Sequence, residues 1–433
     1  MSGPSSVQLF TERLVRFEHT KLPNGLELIG EVNRDAHSAA VGILVRTGAR
    51  DESSELNGVS HFLEHMIFKG TPRRTAIDVN REFDEIGARY NAFTSEENTV
   101  FWGAVLPEYL PRLVDLLTDM MRPSLRPDDF EVEKKVILEE IGMYQDQPMW
   151  SAYERVMREH FGAHPLGNSV LGTTGSVGGL KPDQMRSYFD RRYVAANMLV
   201  AAAGNLDWAR FCDLIARACA DWQTGDATRE ISAARGSGSF HVITQKRIHQ
   251  EHLVLIGSAP SAESPDRFAA DVLATAVGDG TGSRLFWEFV DPGLAETADL
   301  EYHEFNGAGA FMTYLSCDPE EAAENLQRLH ALYGQVHAEN IRADELEQVK
   351  NKAASRIVLR SERPMGRLMP LGFNWAYRRE YRTVDDDLDA LARVSLDDVA
   401  RVLTEHPLDH VTCVAIGPLP EEALTVPSSA SPI

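Results

Sequence analysis

The chain has 433 residues, with 43 Lys or Arg against 65 Asp or Glu, and so carries a formal net charge of −22 at pH 7. At roughly 150 residues per domain, this length predicts two or three domains, each large enough to bury its own core. The negative charge would repel a nucleic-acid backbone or an anionic membrane surface and attract basic peptides, so we expect no nucleic-acid and no membrane partner.

The sequence shows no pattern typical of export or membrane insertion. Its start, Met-Ser-Gly-Pro-Ser-Ser, lacks a basic region followed by an apolar stretch, and the longest apolar run, residues 198–203, is too short to span a bilayer. The four cysteines have no paired spacing and are expected in the core, which fits a reducing compartment. We therefore expect a cytoplasmic protein, with the periplasm as the alternative.

The predicted elements of the first half follow an order that the second half repeats. Strand-like runs at 26–32 and 39–47 lead into a helix-like stretch, a charged helix opens with acidic residues at 127–131, and a late amphipathic helix beginning near 180 precedes a strand at 198–204. The corresponding elements of the second half are strands at 240–244 and 252–257, a charged helix from 343, a late helix from 394 and a strand at 411–417.

Three of these pairs are separated by almost the same distance along the chain. The offsets are 216 residues for the charged helices, 214 for the late helices and 213 for the last strands. We interpret this as a duplicated α+β unit: two homologous domains, each a mostly antiparallel sheet covered by helices. The predicted boundaries are 1–225 for the first domain, 226–239 for a glycine-rich linker and 240–433 for the second domain.

Residues 58–70 carry the first chemical signal. They read Gly-Val-Ser-His-Phe-Leu-Glu-His-Met-Ile-Phe-Lys-Gly, and on a helix the apolar residues form one stripe that predicts a core face. A second stripe carries His61, Glu64, His65 and Phe68. Two imidazoles one turn apart suit a tetrahedral divalent metal, with zinc as the default ion.

A catalytic zinc site normally has three protein ligands, so another must come from elsewhere. The predicted helix at 128–145 places Glu133 and Glu140 on one partly apolar stripe, and a buried carboxylate needs a partner such as a cation. Glu139 lies on a stripe that is comparably apolar. Periodicity alone therefore leaves both Glu139 and Glu140 as candidates.

These residues resemble a known family. The sequence His61-Phe-Leu-Glu-His65, followed 75 positions later by Glu140, is similar to the inverted zinc-binding motif of the pitrilysin-type metallopeptidases, which include insulin-degrading enzyme and the mitochondrial processing peptidase. The resemblance continues through Asn-Ala-Phe-Thr-Ser at 91–95 and reaches the second half at Gly-Ser-Arg-Leu-Phe, 282–286, so it covers nearly the whole chain.

The resemblance implies Zn²⁺ as the cofactor and assigns roles in its site. The implied roles are metal ligands for His61, His65 and Glu140, catalytic base for Glu64, and support of a ligating histidine for Glu133. Glu64 would take the proton of a zinc-bound water as the water attacks the scissile carbonyl. Glu140 is preferred to Glu139 because the family places its ligand seven residues after the supporting glutamate.

Further residues are implied to bind substrate. Asn91 and Ala92 would lie on an exposed strand edge that holds the peptide as an added strand, which gives affinity with little dependence on sequence. Phe68, on the metal face of its helix, is expected to contact the side chain just after the cleaved bond.

One departure from the family bears on partners. Single-chain members carry an Arg and, seven residues later, a Tyr that hold substrate near the zinc; here Val290 and Glu296 stand at those places, with one residue deleted between them. Some bacterial relatives divide the zinc site and the Arg/Tyr pair between two homologous chains. We therefore expect a dimer with a zinc-less homologue, each chain forming half of a clam-shell chamber, with a homodimer as the alternative.

The predicted function is that of a zinc metalloendopeptidase that hydrolyses short, extended or unfolded peptides. The alternative from another class is a non-catalytic scaffold or core subunit of a homologous complex, although scaffolding relatives often lack a ligand or the base. A purely structural metal protein is a weaker alternative, because a structural site needs no base beside the metal.

Overall fold

The computed structural model describes residues 15–234 and 236–424. Its first half builds one mixed sheet. The strands of this sheet are β1 (Val15–Lys21), β2 (Glu27–Asn33), β3 (Ala39–Val45), β4 (Arg89–Thr94), β5 (Thr99–Val105) and β6 (Met198–Gly204). They lie in the order β1-β2-β6-β3-β5-β4, and β2 with β6 is the parallel pair while the others are antiparallel.

The second half builds a sheet of the same plan. Its strands are β7 (Phe240–Thr244), β8 (Glu251–Ser258), β9 (Thr297–Phe305), β10 (Ala308–Cys317) and β11 (Val411–Gly417). The order β7-β11-β8-β10-β9, with β7 parallel to β11, reproduces the order β2-β6-β3-β5-β4 strand for strand. The predicted duplication of a mostly antiparallel α+β unit is confirmed, and β1 is an addition at the edge of the first copy.

Fourteen α-helices cover the two sheets within the described ranges. In the first half these are α1 (Val59–Ile67), α2 (Ala76–Glu85), α3 (Leu110–Met120), α4 (Pro127–Gln145), α5 (Pro148–Phe161), α6 (Thr174–Gly179), α7 (Pro182–Arg192) and α8 (Trp208–Ala218). In the second half they are α9 (Arg267–Gly278), α10 (Ala322–Glu339), α11 (Ala343–Ser361), α12 (Pro364–Arg378), α13 (Val384–Arg393) and α14 (Leu396–Glu405). The two charged helices, α4 and α11, therefore begin at the predicted residues.

Each half lends one helix to the sheet of the other half. Helix α5 packs Val156 against Ile256 and its neighbours on the second sheet, and α12 packs Leu368 against Leu44 and its neighbours on the first sheet. All four side chains are fully buried. Since burying one such aliphatic side chain contributes about 1.5–3 kcal/mol, this exchange ties the two halves together through shared apolar cores.

Two further expectations concern membrane-spanning helices and the cysteines. In residues 15–234 and 236–424 we find no helix with the length and apolar character needed to cross a membrane. The four cysteines are free thiols; three are buried and Cys212 is half-buried, as expected for small core residues.

Candidate metal centre

Helix α1 is anchored at its start and along its core face. Gly58 precedes it with φ of 93°, a left-handed conformation that favours glycine, and the buried Glu52 carboxylate accepts the backbone N–H groups of Gly58 at 2.6 Å and Ser60 at 2.7 Å. The predicted apolar stripe of the helix is almost fully buried. Its members are Val59, Phe62, Leu63, Met66 and Ile67. The opposite stripe, with both histidines, is thereby held in one orientation.

Helix α4 lies against α1 and turns one of its two candidate glutamates toward the histidines. Phe130 stacks on Phe62 with ring centroids 4.6 Å apart, and the buried face of α4 continues through Glu133, Ile137 and Ile141. Glu140 borders this face, whereas Glu139 is exposed. The apolar residues that share the stripe of Glu139 also face solvent: Val132 is 62% exposed, Val136 44% and Met143 54%.

The two helices bring His61, His65 and Glu140 together. One ligand atom from each side chain lies within 4.8 Å of the others, and in the described part of the chain no other group of three metal-ligating side chains meets this spacing. The Oε2 atom of Glu140 lies 3.8 Å from Nε2 of His61 and 3.6 Å from Nε2 of His65. The imidazole centroids are 4.7 Å apart.

These distances fit ligands that share an ion. A hydrogen bond would bring nitrogen and oxygen to about 2.7–3.2 Å, so neither histidine is bonded to Glu140 directly. Ligand atoms placed about 2.0–2.2 Å from a tetrahedral ion are separated by roughly 3.4 Å. Glu140 Oε2 is buried and has no hydrogen-bond donor. A cation between the three side chains would satisfy this oxygen, and the donor set of two imidazoles and one carboxylate is one that zinc accepts.

The two imidazoles differ in protonation, and the neutral ring of His61 is the one already suited to bind a metal. Burial, with the nearby His65 charge, lowers the pKa of His61 to about 3, so its ring is neutral near pH 7. Burial also acts to lower the pKa of His65, but the hydrogen bond to Glu133 and the charges of Glu140, Glu133 and Glu64 outweigh it and raise that pKa. A bound cation would displace the His65 proton from Nε2.

Glu133 selects the tautomer of His65. Its Oε1 accepts a hydrogen bond from Nδ1–H of His65 at 2.9 Å, which leaves Nε2 of the neutral ring free to bind a metal. Its other oxygen lies 2.5 Å from Nζ of Lys69. Although burial opposes it, these two partners lower the pKa of Glu133 and keep the side chain a carboxylate.

Glu64 lies on the same stripe of α1 as the histidines and is supported from the sheet. Thr94, the last residue of β4, donates its hydroxyl to Oε2 of Glu64 at 2.7 Å. Burial raises the pKa of Glu64, with Thr94 acting in the opposite direction. A partly desolvated carboxylate with a raised pKa is a better proton acceptor near neutral pH than a solvated one.

Asn91 and Ala92 lie on a free sheet edge. They belong to β4, which pairs only with β5 among the described strands, so its other side has no strand partner. Asn91 is exposed, and its side-chain Oδ1 accepts the backbone N–H of Ala92 at 2.9 Å. A peptide added along this edge would exchange that local bond for one to its own main chain.

Phe68 ends α1 on the side of this strand. Its half-buried ring lies 6.2 Å from the ring centroid of Phe101 and 6.4 Å from that of Tyr90, which is itself on β4. The three rings form an aromatic cluster between α1 and the β4–β5 hairpin, in which Phe101 is fully buried and Phe68 and Tyr90 are half-buried.

Two contacts of the site were not predicted from the sequence. Thr94 stands in the 91–95 segment that resembles the family and Lys69 in the 58–70 segment that carries the histidines, but no role was assigned to either. Their partners, Glu64 and Glu133, are 30 and 64 positions away, so only the fold brings them together. The one sequence signal that could have indicated Thr94 is that it is a hydroxyl residue at the end of the strand that contains Asn91 and Ala92.

Known protein families and relatives match nearly the whole chain. A family model described as Insulinase (Peptidase family M16) matches residues 29–174, and one described as Peptidase M16 inactive domain matches residues 179–353. An uncharacterized zinc protease of Mycobacterium bovis is 33% identical over 390 residues, covering 88% of this chain and 89% of the relative. One from Streptomyces coelicolor is 31% identical over 432 residues and covers 95% and 93%.

The fold also matches solved structures. The crystal structure of a protease from Helicobacter pylori superposes with a TM-score of 0.87, covering 93% of this chain and all of that chain, at 22% sequence identity. Because the sequence identity is this low, the similarity shows the fold alone. Both chains have the same arrangement of two α+β domains.

Proposed function

The chain belongs to peptidase family M16, and on that premise we propose that it is a zinc-dependent endopeptidase that hydrolyses short, extended or unfolded peptides. The convergence of His61, His65 and Glu140, with Glu64 beside them, is the observation that carries the proposal. The relatives named zinc proteases support the metal and the reaction class. The complete set of ligands and base argues against the alternative of a non-catalytic scaffold subunit.

The side chains of this site have distinct tasks in peptide hydrolysis. His61, His65 and Glu140 would hold zinc, which lowers the pKa of a water molecule toward about 7 and polarises the scissile carbonyl. Glu64 accepts the proton of the attacking water and returns it to the amine nitrogen that leaves, so it ends each cycle as a carboxylate. Thr94 holds one oxygen of Glu64 and leaves the other for this transfer.

The free edge of β4 supports a preference for extended substrates. Main-chain pairing with Asn91 and Ala92 would place a peptide across the site in a defined register with little dependence on its sequence. Phe68, the half-buried member of the aromatic cluster that belongs to the α1 segment, would contact the side chain that follows the cleaved bond and favour an apolar or aromatic residue there.

We expect the zinc-loaded protein to cut unstructured peptides at internal bonds. Mass spectrometry of the products of a peptide blocked at both ends would show internal fragments, and a blocked peptide left intact where the unblocked peptide is trimmed from its ends would rule out endopeptidase activity. A chelator should abolish the cleavage because it removes the ion from the three ligands, and added zinc should restore it. Activity that persists after complete removal of metal would contradict the proposal.

We further propose that a homologous chain without zinc completes the chamber. The places at which single-chain relatives carry the Arg/Tyr pair hold Val290, which packs against the core of the second domain, and Glu296, whose carboxylate accepts a hydrogen bond from the side chain of Gln250. Neither side chain can donate to a peptide carbonyl. A partner chain with this Arg and Tyr would supply the missing donors.

The partner proposal predicts weak activity for the chain alone. We expect kcat/KM for a peptide to rise at least about tenfold when a zinc-less homologue from the same genome is added, as for a gain of one or two substrate hydrogen bonds. Size-exclusion chromatography with light scattering would show whether the active species contains one chain, two copies of it or both proteins. Brisk hydrolysis by the isolated chain would remove the need for a partner.

A further inference from the structure

The strand that supports Glu64 ends in a short turn that contacts the second domain. Residues 95–98 join β4 to β5, and Thr94 and Thr99 form the last pair of this hairpin, with their hydroxyl oxygens 3.5 Å apart. Thr94 is thus both the end of the hairpin and the donor to Glu64. A shift of the turn that carries Thr94 with it would change the Thr94–Glu64 distance.

The turn is held by one buried carboxylate, that of Glu97, which is 1% exposed. Its Oε1 accepts a hydrogen bond from Nη1 of Arg50 at 2.7 Å. Its Oε2 accepts the hydroxyl of Tyr377 at 2.9 Å and the backbone N–H of Asn306 at 3.0 Å. Nη1 of Arg229 lies 3.3 Å from Oε1. We call these five residues the hairpin clamp.

The hairpin clamp draws its members from three parts of the chain. Glu97 and Arg50 belong to the first half, and Arg229 belongs to the predicted linker. The second half contributes Tyr377, from α12, and Asn306, from the β9–β10 turn. The backbone of the turn is also bonded within the first half, through Arg50 N–H to the Glu96 carbonyl at 2.7 Å. The second half therefore contributes donors to a turn that the first half already shapes.

The hydrogen bonds to Glu97 offset the cost of burying its charge. Loss of the Tyr377 hydroxyl would leave Oε2 with the Asn306 N–H alone, and a hydrogen bond lost at a charged group costs more than one lost at a neutral group. Tyr377 remains a donor near neutral pH because its burial, together with the charge of Glu97, raises its pKa well above the usual range. The clamp thus favours this position of the turn when the two halves are packed together.

On the basis of the proposed function, we propose that Glu97 and Tyr377 are positioning residues that act through Thr94 on Glu64. The contact between α12 and the 95–98 turn keeps Thr94 at hydrogen-bond distance from the base, so interdomain packing and the proton-transfer geometry are coupled. Misplacement of a catalytic group by about 1 Å can cost about 100-fold in rate, so the coupling needs only a small displacement.

Tyr377→Phe tests the coupling, and Tyr333→Phe is the matched control. Tyr333 is a buried tyrosine of the second half, whereas Tyr377 is half-buried, and the Tyr333 hydroxyl is hydrogen-bonded to Thr313 within the core, away from the hairpin. With zinc-loaded full-length protein we expect Tyr377→Phe to lower kcat about tenfold and to leave zinc content unchanged, whereas Tyr333→Phe keeps kcat within about twofold. Equal kcat losses in the two variants would overturn the proposal.

Two more measurements separate positioning from general destabilisation. Hydrogen exchange at the amides of residues 95–99 should become about tenfold faster in Tyr377→Phe and stay at the wild-type rate in Tyr333→Phe, a readout that does not depend on activity. Thr94→Val should lower kcat, and its effect should not add to that of Tyr377→Phe, because both remove the same support. Additive effects, or unchanged exchange at 95–99, would reject the clamp.

The outcome also distinguishes this inference from the proposed function. A wild-type protein that hydrolyses no peptide, alone or with the zinc-less homologue, would reject the proposed function itself. An active wild type whose Tyr377→Phe variant retains full kcat would reject only the positioning role.

Discussion

Replacing Glu64 with glutamine should lower kcat by at least about 100-fold while zinc binding is retained. Glutamine has nearly the same shape and can still accept the Thr94 hydroxyl, but its amide cannot take a proton from water. The metal ligands are untouched, because Glu64 is not among the three side chains that converge. Peptide hydrolysis and metal analysis of the same preparation test both statements, with about one zinc per chain expected in wild type and variant.

The Glu64→Gln result needs a control for the loss of one negative charge near the site. Glu139→Gln removes the same charge from an exposed position on α4 and should leave both turnover and zinc content unchanged. Turnover by Glu64→Gln at the wild-type rate would show that another group accepts the proton. Loss of zinc together with activity would instead mean that Glu64 contributes to metal binding.

The sequence predicted the repeated fold because strands and helices leave local periodic signals. Both copies of the unit keep the same order of apolar strands, and the charged helices begin at Pro127 and Ala343 as expected. The exchange of α5 and α12 between the sheets leaves no such signal. Leu368 packs against Leu44 across more than 300 positions, and an apolar stripe does not say which sheet will cover it.

The metal site was predictable to a different degree on each helix. On α1 one stripe was apolar and the other polar, so the orientation of the histidines followed from periodicity. On α4 the stripe that contains Glu139 was comparably apolar to the stripe of Glu140, yet its apolar residues face solvent. What orients α4 is the stacking of Phe130 on Phe62, a contact between residues 68 positions apart. Only the family resemblance favoured Glu140 before the fold was known.

Replacing Glu140 with glutamine should remove zinc and activity together, in contrast to Glu64→Gln. The Oε2 atom of Glu140 lies within 4 Å of Nε2 of both His61 and His65, and a neutral amide is a much poorer zinc ligand than a carboxylate. Mutation of residues that only support a ligand costs about 10–100-fold in metal affinity. We expect the loss for Glu140→Gln to exceed this range.

Glu139→Gln is again the matched control, because the two neighbouring glutamates carry the same charge on the same helix. Zinc affinity measured by competition with a chelator should fall for Glu140→Gln and stay at the wild-type value for Glu139→Gln. If Glu140→Gln binds zinc as tightly as wild type, Glu140 is not a zinc ligand. If Glu139→Gln loses zinc and Glu140→Gln does not, Glu139 is the ligand.

A folding control separates loss of the ion from loss of structure. Glu140 makes no hydrogen bond through Oε2 that folding would need. If Glu140→Gln loses zinc while circular dichroism and thermal unfolding of the metal-free protein are unchanged, the carboxylate therefore acts on the ion and not on the fold.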